Sequence, residues 1–168
     1  RKEASFGTFS AEPDAEKNAA LQQLKEELES FSSLTEEEQR TKDLLSWWLD
    51  GQIALKDFYY FQEPLGPTLG IQAQLPILLA EYAVYDRKDV ENYLTLLSQI
   101  DSYYKEIAEF EHARADAGLA PCDLVLDQII QSCKDYMIRP ENSFLCETFD
   151  SKLDDIEGLS AEEKAEYR

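Results

Sequence analysis

The sequence predicts an all-α fold, an irregular bundle of about six helices. Apolar residues recur at helical spacing along most of the chain, and no segment sustains the apolar–polar alternation of a half-buried strand. The 168 residues include only six glycines and six prolines, so long regular elements are expected. Eight phenylalanines, nine tyrosines and two tryptophans can supply a sizeable core, which argues against disorder.

The first predicted helix begins near Asp14 and ends near Phe31. Its apolar positions follow a 3-4-3 spacing that defines one stripe, namely Leu21, Leu24, Leu28 and Phe31. Thr35 and Glu38 then fit a capping box, in which each side chain accepts a hydrogen bond from a backbone N–H of the first helical turn. This pair predicts the start of a second helix.

The second helix is predicted to reach Phe58 or Tyr59 and to be apolar on two sides. One stripe consists of Leu44, Trp48, Leu55 and Phe58, and the other of Leu45, Leu49 and Ile53. A helix that is apolar on most sides is usually central in its bundle. We therefore expect both tryptophans, Trp47 and Trp48, to belong to the core rather than to a ligand platform.

Residues 62–74 are predicted to form a loop, because Glu63-Pro64 and Gly66-Pro67 exclude regular helix. Pro76 suits the first turn of a third helix, where its missing N–H costs nothing. That helix is expected to end near Val84.

The second half of the chain predicts further helices. Asp86 can cap a fourth, which runs to Ala117 either unbroken or with a break near residues 99–102, and Gly118 suits its C-terminal cap. The inward positions expected on a fifth helix are Leu126, Ile129, Ile130, Cys133 and Met137. A sixth helix is predicted from about Ser143 to Glu157, and a capping box at Ser160 and Glu163 opens another.

The predicted domain organisation is simple. Residues 1–12 form a mobile N-terminal segment, and residues 13–168 form a single helical domain. Residues 160–168 are also expected to be mobile.

The formal net charge of −19 limits the partners that the chain can have. Such a charge repels nucleic acid phosphates and disfavours an anionic membrane surface, so we expect no nucleic acid partner. No apolar run approaches the roughly 20 residues that a membrane-spanning helix needs.

The cysteines and the one histidine offer little chemistry. Cys122 and Cys133 lie about 16 Å apart on one predicted helix, too far for a disulfide, while Cys133 and Cys146 could meet only across a helix hairpin. Buried free thiols are the favoured interpretation. His112 and Asp116, at i and i+4, could share a metal, but a third ligand is needed, and a surface histidine beside acidic groups is the favoured interpretation. We predict no catalytic residue, metal ligand or cofactor in this chain.

The order of several segments resembles a known family. Residues 59–97 read YYFQEPLGPTLGIQAQLPILLAEYAVYDRKDVENYLTLL, preceded by LSWWLD at 45–50 and followed by GLAP at 118–121 and NSFL at 142–145. Together they resemble the N-terminal part of the bacterial family catalogued as domain of unknown function 885.

The resemblance implies a larger parent protein. Full-length members of the family resemble zinc metallopeptidases, with a histidine-rich motif of the H-E-x-x-x-x-H kind far downstream that this chain lacks. We expect this chain, which begins at Arg1, to be an N-terminal fragment whose parent holds any zinc. Many members resemble exported lipoproteins and others resemble cytoplasmic proteins, so an extracytoplasmic or membrane-anchored location, through a removed N-terminal signal, stays open.

The loop at Gly70, Gln72 and Gln74 is the predicted substrate-binding site. Gly70 permits close backbone approach, and the glutamines alternate around small residues, so the loop could hydrogen-bond an extended peptide. Alternatively, the glutamines cap a helix and tie the loop to the bundle.

The function expected by resemblance is a noncatalytic helical region that helps to shape the peptide-binding cleft of a zinc-metallopeptidase-like protein. Its partners would be the remainder of the parent chain and a peptide substrate, and exposed surface would favour self-association. The alternative is a freestanding helical binding or scaffold module.

Overall fold

The computed structural model describes residues 4–137, 139 and 142–168 and is all-α. These residues form seven α-helices, no strand and one 3-10 segment, with these bounds: α1 (Ala15–Ser30), α2 (Glu36–Ala54), the 3-10 segment (Leu55–Phe61), α3 (Ile71–Glu81), α4 (Arg87–Asp116), α5 (Asp123–Tyr136), α6 (Phe144–Asp154) and α7 (Ala161–Tyr167). The predicted fold class is confirmed. The seventh helix is the one that the second capping box opens.

Capping side chains set the helix starts where the sequence predicts them. The backbone N–H of Thr35 donates to the Glu38 carboxylate over 2.8 Å, and Ser160 donates to Glu163 over the same distance. Both pairs complete reciprocal capping boxes. At the start of α4, the carboxylate of Asp86 accepts the Asp89 N–H at 3.0 Å.

The long helix α4 is continuous, without a break at residues 99–102. It ends at Asp116, and two residues later Gly118 has a φ of 78°, the left-handed conformation that glycine adopts without penalty. The Leu119 N–H then donates to the Arg114 carbonyl over 3.1 Å, which closes the helix end.

The core of the C-terminal half forms where α3, α4 and α6 meet. Val90 and Leu153 are completely buried, and the rings of Tyr93 and Phe149 stack with centroids 4.9 Å apart. The Lys152 ammonium donates to the carbonyls of Ala80 and Tyr82, so it satisfies the C-terminal end of α3. Burial lowers the pKa of this lysine.

A second apolar cluster surrounds Phe110 near the other end of α4. Phe110 is fully buried, and its ring contacts those of Phe9, Tyr59 and Tyr60 at centroid distances of 5.0, 5.5 and 5.9 Å. The Phe9 N–H also donates to the Glu106 carboxylate at 2.7 Å. The described part of the N-terminal segment therefore lies along α4.

These contacts do not measure motion. The mobility of residues 1–12 and 160–168, and the domain boundary at residue 12, stay predictions. Residues 1–3 of the first segment lie outside the described residues.

Helices α1 and α2 form an antiparallel hairpin. The Lys25 ammonium pairs with Asp50, and the Lys42 ammonium donates to the Phe31 carbonyl over 2.7 Å. Leu49, on the second of the predicted stripes, is 6% exposed and is the one residue of α2 that is buried.

The other stripe of α2 is exposed, so the prediction that both tryptophans belong to the core is wrong. Trp48 is 49% exposed and Trp47 is 73% exposed. Leu44, Trp48 and Leu55 lie within about 40° of one another around the helix, and the centre of this stripe is about 120° from Leu49. We call the exposed stripe of Leu44, Trp48, Leu55 and Phe58 the outer α2 stripe. Its last two residues lie in the 3-10 segment that follows α2, and the exposed Trp47 lies about 100° from Trp48 around the helix.

Helix α5 is less buried than its pattern predicts. Ile129 is buried, but Leu126 and Ile130 are exposed, and Met137 is 82% exposed, so their predicted inward positions are wrong. The apolar stripe of α5 is wider than the surface that the neighbouring helix α3 covers.

The cysteines are free, as the favoured interpretation held. Cys133 is half-buried, while Cys122 and Cys146 are exposed, which corrects the expectation that all three are buried. Both exposed thiols lie at helix starts: Cys122 is the N-cap of α5, and Cys146 lies in the first turn of α6.

Candidate functional site

The loop that contains Gly70 is shorter than predicted, because α3 begins at Ile71. Gly70 is the N-cap of this helix, and the Ile71 N–H donates to the Pro64 carbonyl over 2.8 Å. This bond anchors the start of the helix five residues before Pro76. Pro76 therefore lies inside α3 rather than in its first turn, and Gln72 and Gln74 are helical residues rather than loop residues.

Gly70 does permit close backbone approach, but the approaching segment is the loop itself. A Cβ at this position would overlap the Gln72 side-chain oxygen and the backbone nitrogen of Gly66. The φ of Gly70 is −64°, so close packing and not a left-handed conformation accounts for glycine here.

The structure brings Gly70 and Gln72 together but not Gln74. Gln72 is 2% exposed, and its side-chain N–H donates to the Gly66 carbonyl. Gln74 is half-buried and lies about 160° away from Gln72 around α3. The two glutamines therefore lie on different sides of α3, and the Gln72 side chain joins the helix to the loop at Gly66. The assignment of Gly70, Gln72 and Gln74 to a substrate-binding site stays a prediction.

A buried arginine, which the sequence analysis did not single out, fastens the same loop to α4. The Arg114 side chain is 6% exposed, and its guanidinium lies 3.2 Å from the Glu111 carboxylate and 3.6 Å from that of Glu63. The i, i+3 spacing of Glu111 and Arg114 hints at this pair. The burial of Arg114 depends on the loop and has no local signature.

Next to Gln72 lies a cavity of about 460 Å³, bounded by α3, α4, the end of α5 and the start of α6. Leu75 and Leu79 from α3 and Ile100 and Tyr104 from α4 line it. Its volume lies within the range of roughly 300–1,000 Å³ that is usual for small-molecule and cofactor sites. Sequence analysis missed this cavity, because its walls are ordinary core-facing positions of separate helices.

The polar groups of the cavity favour binding over nucleophilic chemistry. Burial raises the pKa of the Cys133 thiol, so this thiol is protonated at neutral pH and is a poor nucleophile. Burial, more than the nearby Cys133, raises the pKa of Tyr104 to about 12, so its hydroxyl is neutral as well. The Gln72 side-chain oxygen has no hydrogen-bond partner among the residues that the structure describes.

The described residues do not offer a metal site. His112 is exposed on α4, and within residues 4–137, 139 and 142–168 no three His, Cys, Asp or Glu side chains are grouped to hold a metal ion. The residues present therefore do not fit the zinc that the resemblance implies for the parent.

No helix in the described part of the chain has both the length and the apolarity to cross a membrane.

Comparison of the sequence with known protein families shows which family the chain belongs to. The sequence matches, over residues 1–168, the family described as bacterial protein of unknown function (DUF885). The chain belongs to this family. The resemblance drawn from residues 45–145 is thereby confirmed. A search of curated proteins found no match.

A solved structure shares the fold of this DUF885 chain. The crystal structure of the "putative lipoprotein" from Colwellia psychrerythraea superposes with a TM-score of 0.78 at 15% sequence identity. The match covers 98% of this chain and 30% of that chain. At this identity the likeness shows the fold alone, and this chain spans less than a third of the length of that protein.

Proposed function

We propose that this chain is a noncatalytic helical region of a larger, zinc-metallopeptidase-like bacterial protein, in which it helps to form the peptide-binding cleft. The outer α2 stripe is the observation that carries the proposal. Its four large apolar side chains are each about half exposed or more, and the neighbouring Trp47 is 73% exposed. Soluble proteins seldom leave such a face uncovered, because burying it releases about 25 cal/mol per Å².

The length of the solved neighbour supports this interpretation. The whole of this fold aligns with less than a third of that protein, so the same bundle occurs there beside a much longer stretch of chain. By analogy, we propose that further chain of a longer parent covers the outer α2 stripe. Zinc and the catalytic residues would belong to that further part, and the cavity beside Gln72 would belong to the cleft.

The outer α2 stripe also supports a second candidate function, a freestanding helical binding or scaffold module. In that case another protein would cover the outer α2 stripe. The two candidates differ in what the gene encodes after Arg168: a histidine–glutamate metal motif favours the first, and a stop codon favours the second.

The test compares this chain with the longer gene product. The longer protein should contain stoichiometric zinc by elemental analysis and should hydrolyse a mixed peptide library, while this chain alone should do neither. In the longer protein, the tryptophans at the positions of Trp47 and Trp48 should be shielded from acrylamide. In this chain alone, acrylamide should quench the fluorescence of both tryptophans freely. A longer protein that is zinc-free and inactive, with its tryptophans still quenched, would overturn the proposal.

A further inference from the structure

We propose that residues 4–11 are an intramolecular peptide ligand, and that the groove in which they lie exchanges them for an extended segment of another protein that carries two phenylalanines three residues apart. We call residues 4–11 the arm. The arm groove consists of side chains from the 3-10 segment and α4, namely Tyr59, Tyr60, Gln99, Tyr103, Glu106 and Phe110. None of these residues lines the cavity beside Gln72, so the proposal does not rest on the proposed function.

Polar side chains of α4 bind the backbone of the arm rather than its side chains. The Gln99 side-chain N–H donates to the Ala4 carbonyl over 3.0 Å, and the oxygen of the same amide accepts the Phe6 N–H at 3.4 Å. The Glu106 carboxylate accepts the Phe9 N–H at 2.7 Å. Because other peptides carry the same backbone groups, these bonds do not depend on the identity of the arm residues.

Tyrosine hydroxyls of the 3-10 segment bind the other end of the arm in the same way. The Tyr59 hydroxyl donates to the Ser10 carbonyl over 2.7 Å, and the Tyr60 hydroxyl donates to the Ala11 carbonyl over 3.1 Å. Side chains of the groove therefore bind backbone groups from one end of the arm to the other, which is how a peptide-binding protein gains affinity for an extended segment.

Two phenylalanines supply the side-chain recognition. The Phe6 ring stacks on Tyr103 with centroids 5.3 Å apart, and the Phe9 ring packs edge-on against Phe110 at 5.0 Å. Both phenylalanines are partly buried, whereas the residues between and beside them are exposed, namely Ser5, Gly7, Thr8 and Ser10. The groove therefore selects aromatic residues three apart and tolerates polar residues at the other positions.

Gly7 gives the bound segment its shape. Its φ of 79° lies in the left-handed region, which an L-residue enters only with strain. A Cβ added to Gly7 would have no atom within 4 Å, so backbone conformation and not space restricts this position. A D-residue favours the same positive φ, and this difference provides a stereochemical test of the bound conformation.

The groove does not depend on the arm for its support. Phe110 contacts the rings of Tyr59 and Tyr60, and Arg114 fastens the loop that follows the 3-10 segment to α4 through Glu63. A cavity of about 410 Å³ lies between the arm and the α1–α2 hairpin and is lined by residues of the arm, α1 and α2. The arm can therefore leave the groove without separating two packed helices.

The competing segment belongs to another protein rather than to a second copy of this chain. Residues 12–14 join the arm to α1, and such a short tether holds a ligand at an effective concentration of about 1 mM. The arm of a second copy cannot compete with this at micromolar protein concentrations. A segment of another protein competes by fitting better than the arm, in which Phe6 and Phe9 are only partly buried and Gly7 loses much conformational freedom on binding.

The test uses the full chain with Phe6→Ala and Phe9→Ala, which frees the groove, and a synthetic peptide of the arm sequence, ASFGTFSA, blocked at both ends. An NMR titration of isotopically labelled protein should show saturable binding, with chemical-shift changes concentrated on the arm groove. The wild-type chain should bind the same peptide more weakly, by about tenfold for a Kd of about 100 µM, because its own arm competes at about 1 mM. A thermal melt checks that the double variant folds.

Four altered peptides define the specificity. Alanine at both phenylalanine positions should abolish binding, whereas alanine at the positions of Ser5, Thr8 and Ser10 should change Kd by less than about threefold. L-alanine at the position of Gly7 should weaken binding about tenfold, and D-alanine there should restore it. Non-specific hydrophobic adhesion would not distinguish the last two peptides.

A pair of variants on α4 tests the groove itself. Glu106→Ala removes the acceptor of the Phe9 N–H and should weaken binding of the peptide. Glu109→Ala is the matched control, since Glu109 is exposed on the same helix, and it should leave binding unchanged. In the wild-type chain, excess peptide should move the amide resonances of Phe6 and Phe9 toward random-coil positions as the arm leaves. This last measurement holds even where the double variant does not fold.

The absence of saturable binding to either protein up to about 10 mM peptide, well above the effective concentration of the arm, would overturn the proposal. Equal binding of the phenylalanine-free peptide, or of the L-alanine and D-alanine peptides, would also overturn it. Dimerisation of the wild-type chain at micromolar concentration, detected by sedimentation and removed by Phe6→Ala with Phe9→Ala, would assign the groove to a second copy and overturn the choice of partner.

Discussion

The exposure of Trp48 predicts an intermediate and measurable cost for its truncation. A tryptophan side chain buries about 150–250 Å² when fully covered, so a residue that is 49% exposed buries about 100 Å². At about 25 cal/mol per Å² this corresponds to about 2.5 kcal/mol, which compactness of the unfolded chain reduces to about 1.5–2 kcal/mol. Trp48→Ala should therefore lower the free energy of unfolding by about that amount.

Two other truncations calibrate this value in the same protein. Phe110 is completely buried among Phe9, Tyr59 and Tyr60, so Phe110→Ala should cost about 3–5 kcal/mol. Trp47 is 73% exposed, so Trp47→Ala should cost about 1 kcal/mol or less. The structure thus predicts an order of cost in which Phe110 exceeds Trp48 and Trp48 exceeds Trp47.

Urea unfolding followed by circular dichroism measures all three variants, and sedimentation at several protein concentrations shows whether the chain is monomeric. A cost for Trp48→Ala equal to that for Phe110→Ala in a monomer would refute the exposure of the outer α2 stripe. In a longer parent that covers this stripe, the cost for Trp48→Ala should rise toward the value for Phe110→Ala. If Trp48→Ala cost the same in the longer parent as in this chain, that result would contradict the proposed covering of the outer α2 stripe.

Three further predictions follow from contacts outside α2. Gly70→Ala should lower the free energy of unfolding by about 1–3 kcal/mol, measured by thermal melt, because the added Cβ would overlap the loop backbone. The control is Gly158→Ala, which should cost less than about 1 kcal/mol because no atom lies within 4 Å of its added Cβ. Equal costs for the two variants would contradict the close approach of the loop to Gly70. Burial raises the pKa of Tyr104 to about 12, so the folded state holds this proton more tightly than the unfolded state and stability should fall as pH rises from about 10 to 12. Tyr104→Phe should remove part of that fall, and an unchanged alkaline transition would refute the burial. The Phe9 amide, which donates to Glu106, should exchange slowly with deuterium, and exchange as fast as in an unstructured peptide would show that the N-terminal segment is mobile, as the sequence suggests.

Local chemistry accounts for what the sequence predicted well. Capping boxes need only residues three apart, so Thr35 and Ser160 marked helix starts without reference to the rest of the chain. Gly118 marked a helix end for the same reason, because glycine adopts the positive φ of a C-terminal cap without penalty. The all-α class followed from apolar periodicity, which is also a local property.

The site depended on contacts between segments that are distant in the sequence, and this explains where prediction failed. The start of α3 at Ile71 is anchored by a bond to Pro64, whereas the predicted loop of residues 62–74 placed that start four residues too late. Gln72 was predicted in the loop, but its environment is set by Gly66 and by the cavity between helices. No spacing of residues along the chain marks a cavity that several helices enclose.

The two stripes of α2 show the limit of periodicity in its clearest form. The sequence correctly identifies both stripes as apolar, but Leu49 is the buried residue of the second stripe, and Leu45 on the same stripe is 45% exposed. Periodicity does not indicate which surfaces are available to cover a stripe. The described helices leave the outer α2 stripe exposed and cover the second stripe only in part. The outer α2 stripe and the cavity beside Gln72 belong to different helices, so a variant in one leaves the side chains of the other in place. Truncation at Trp48 can therefore test whether further chain of a longer parent covers this stripe, without altering the side chains that line the cavity.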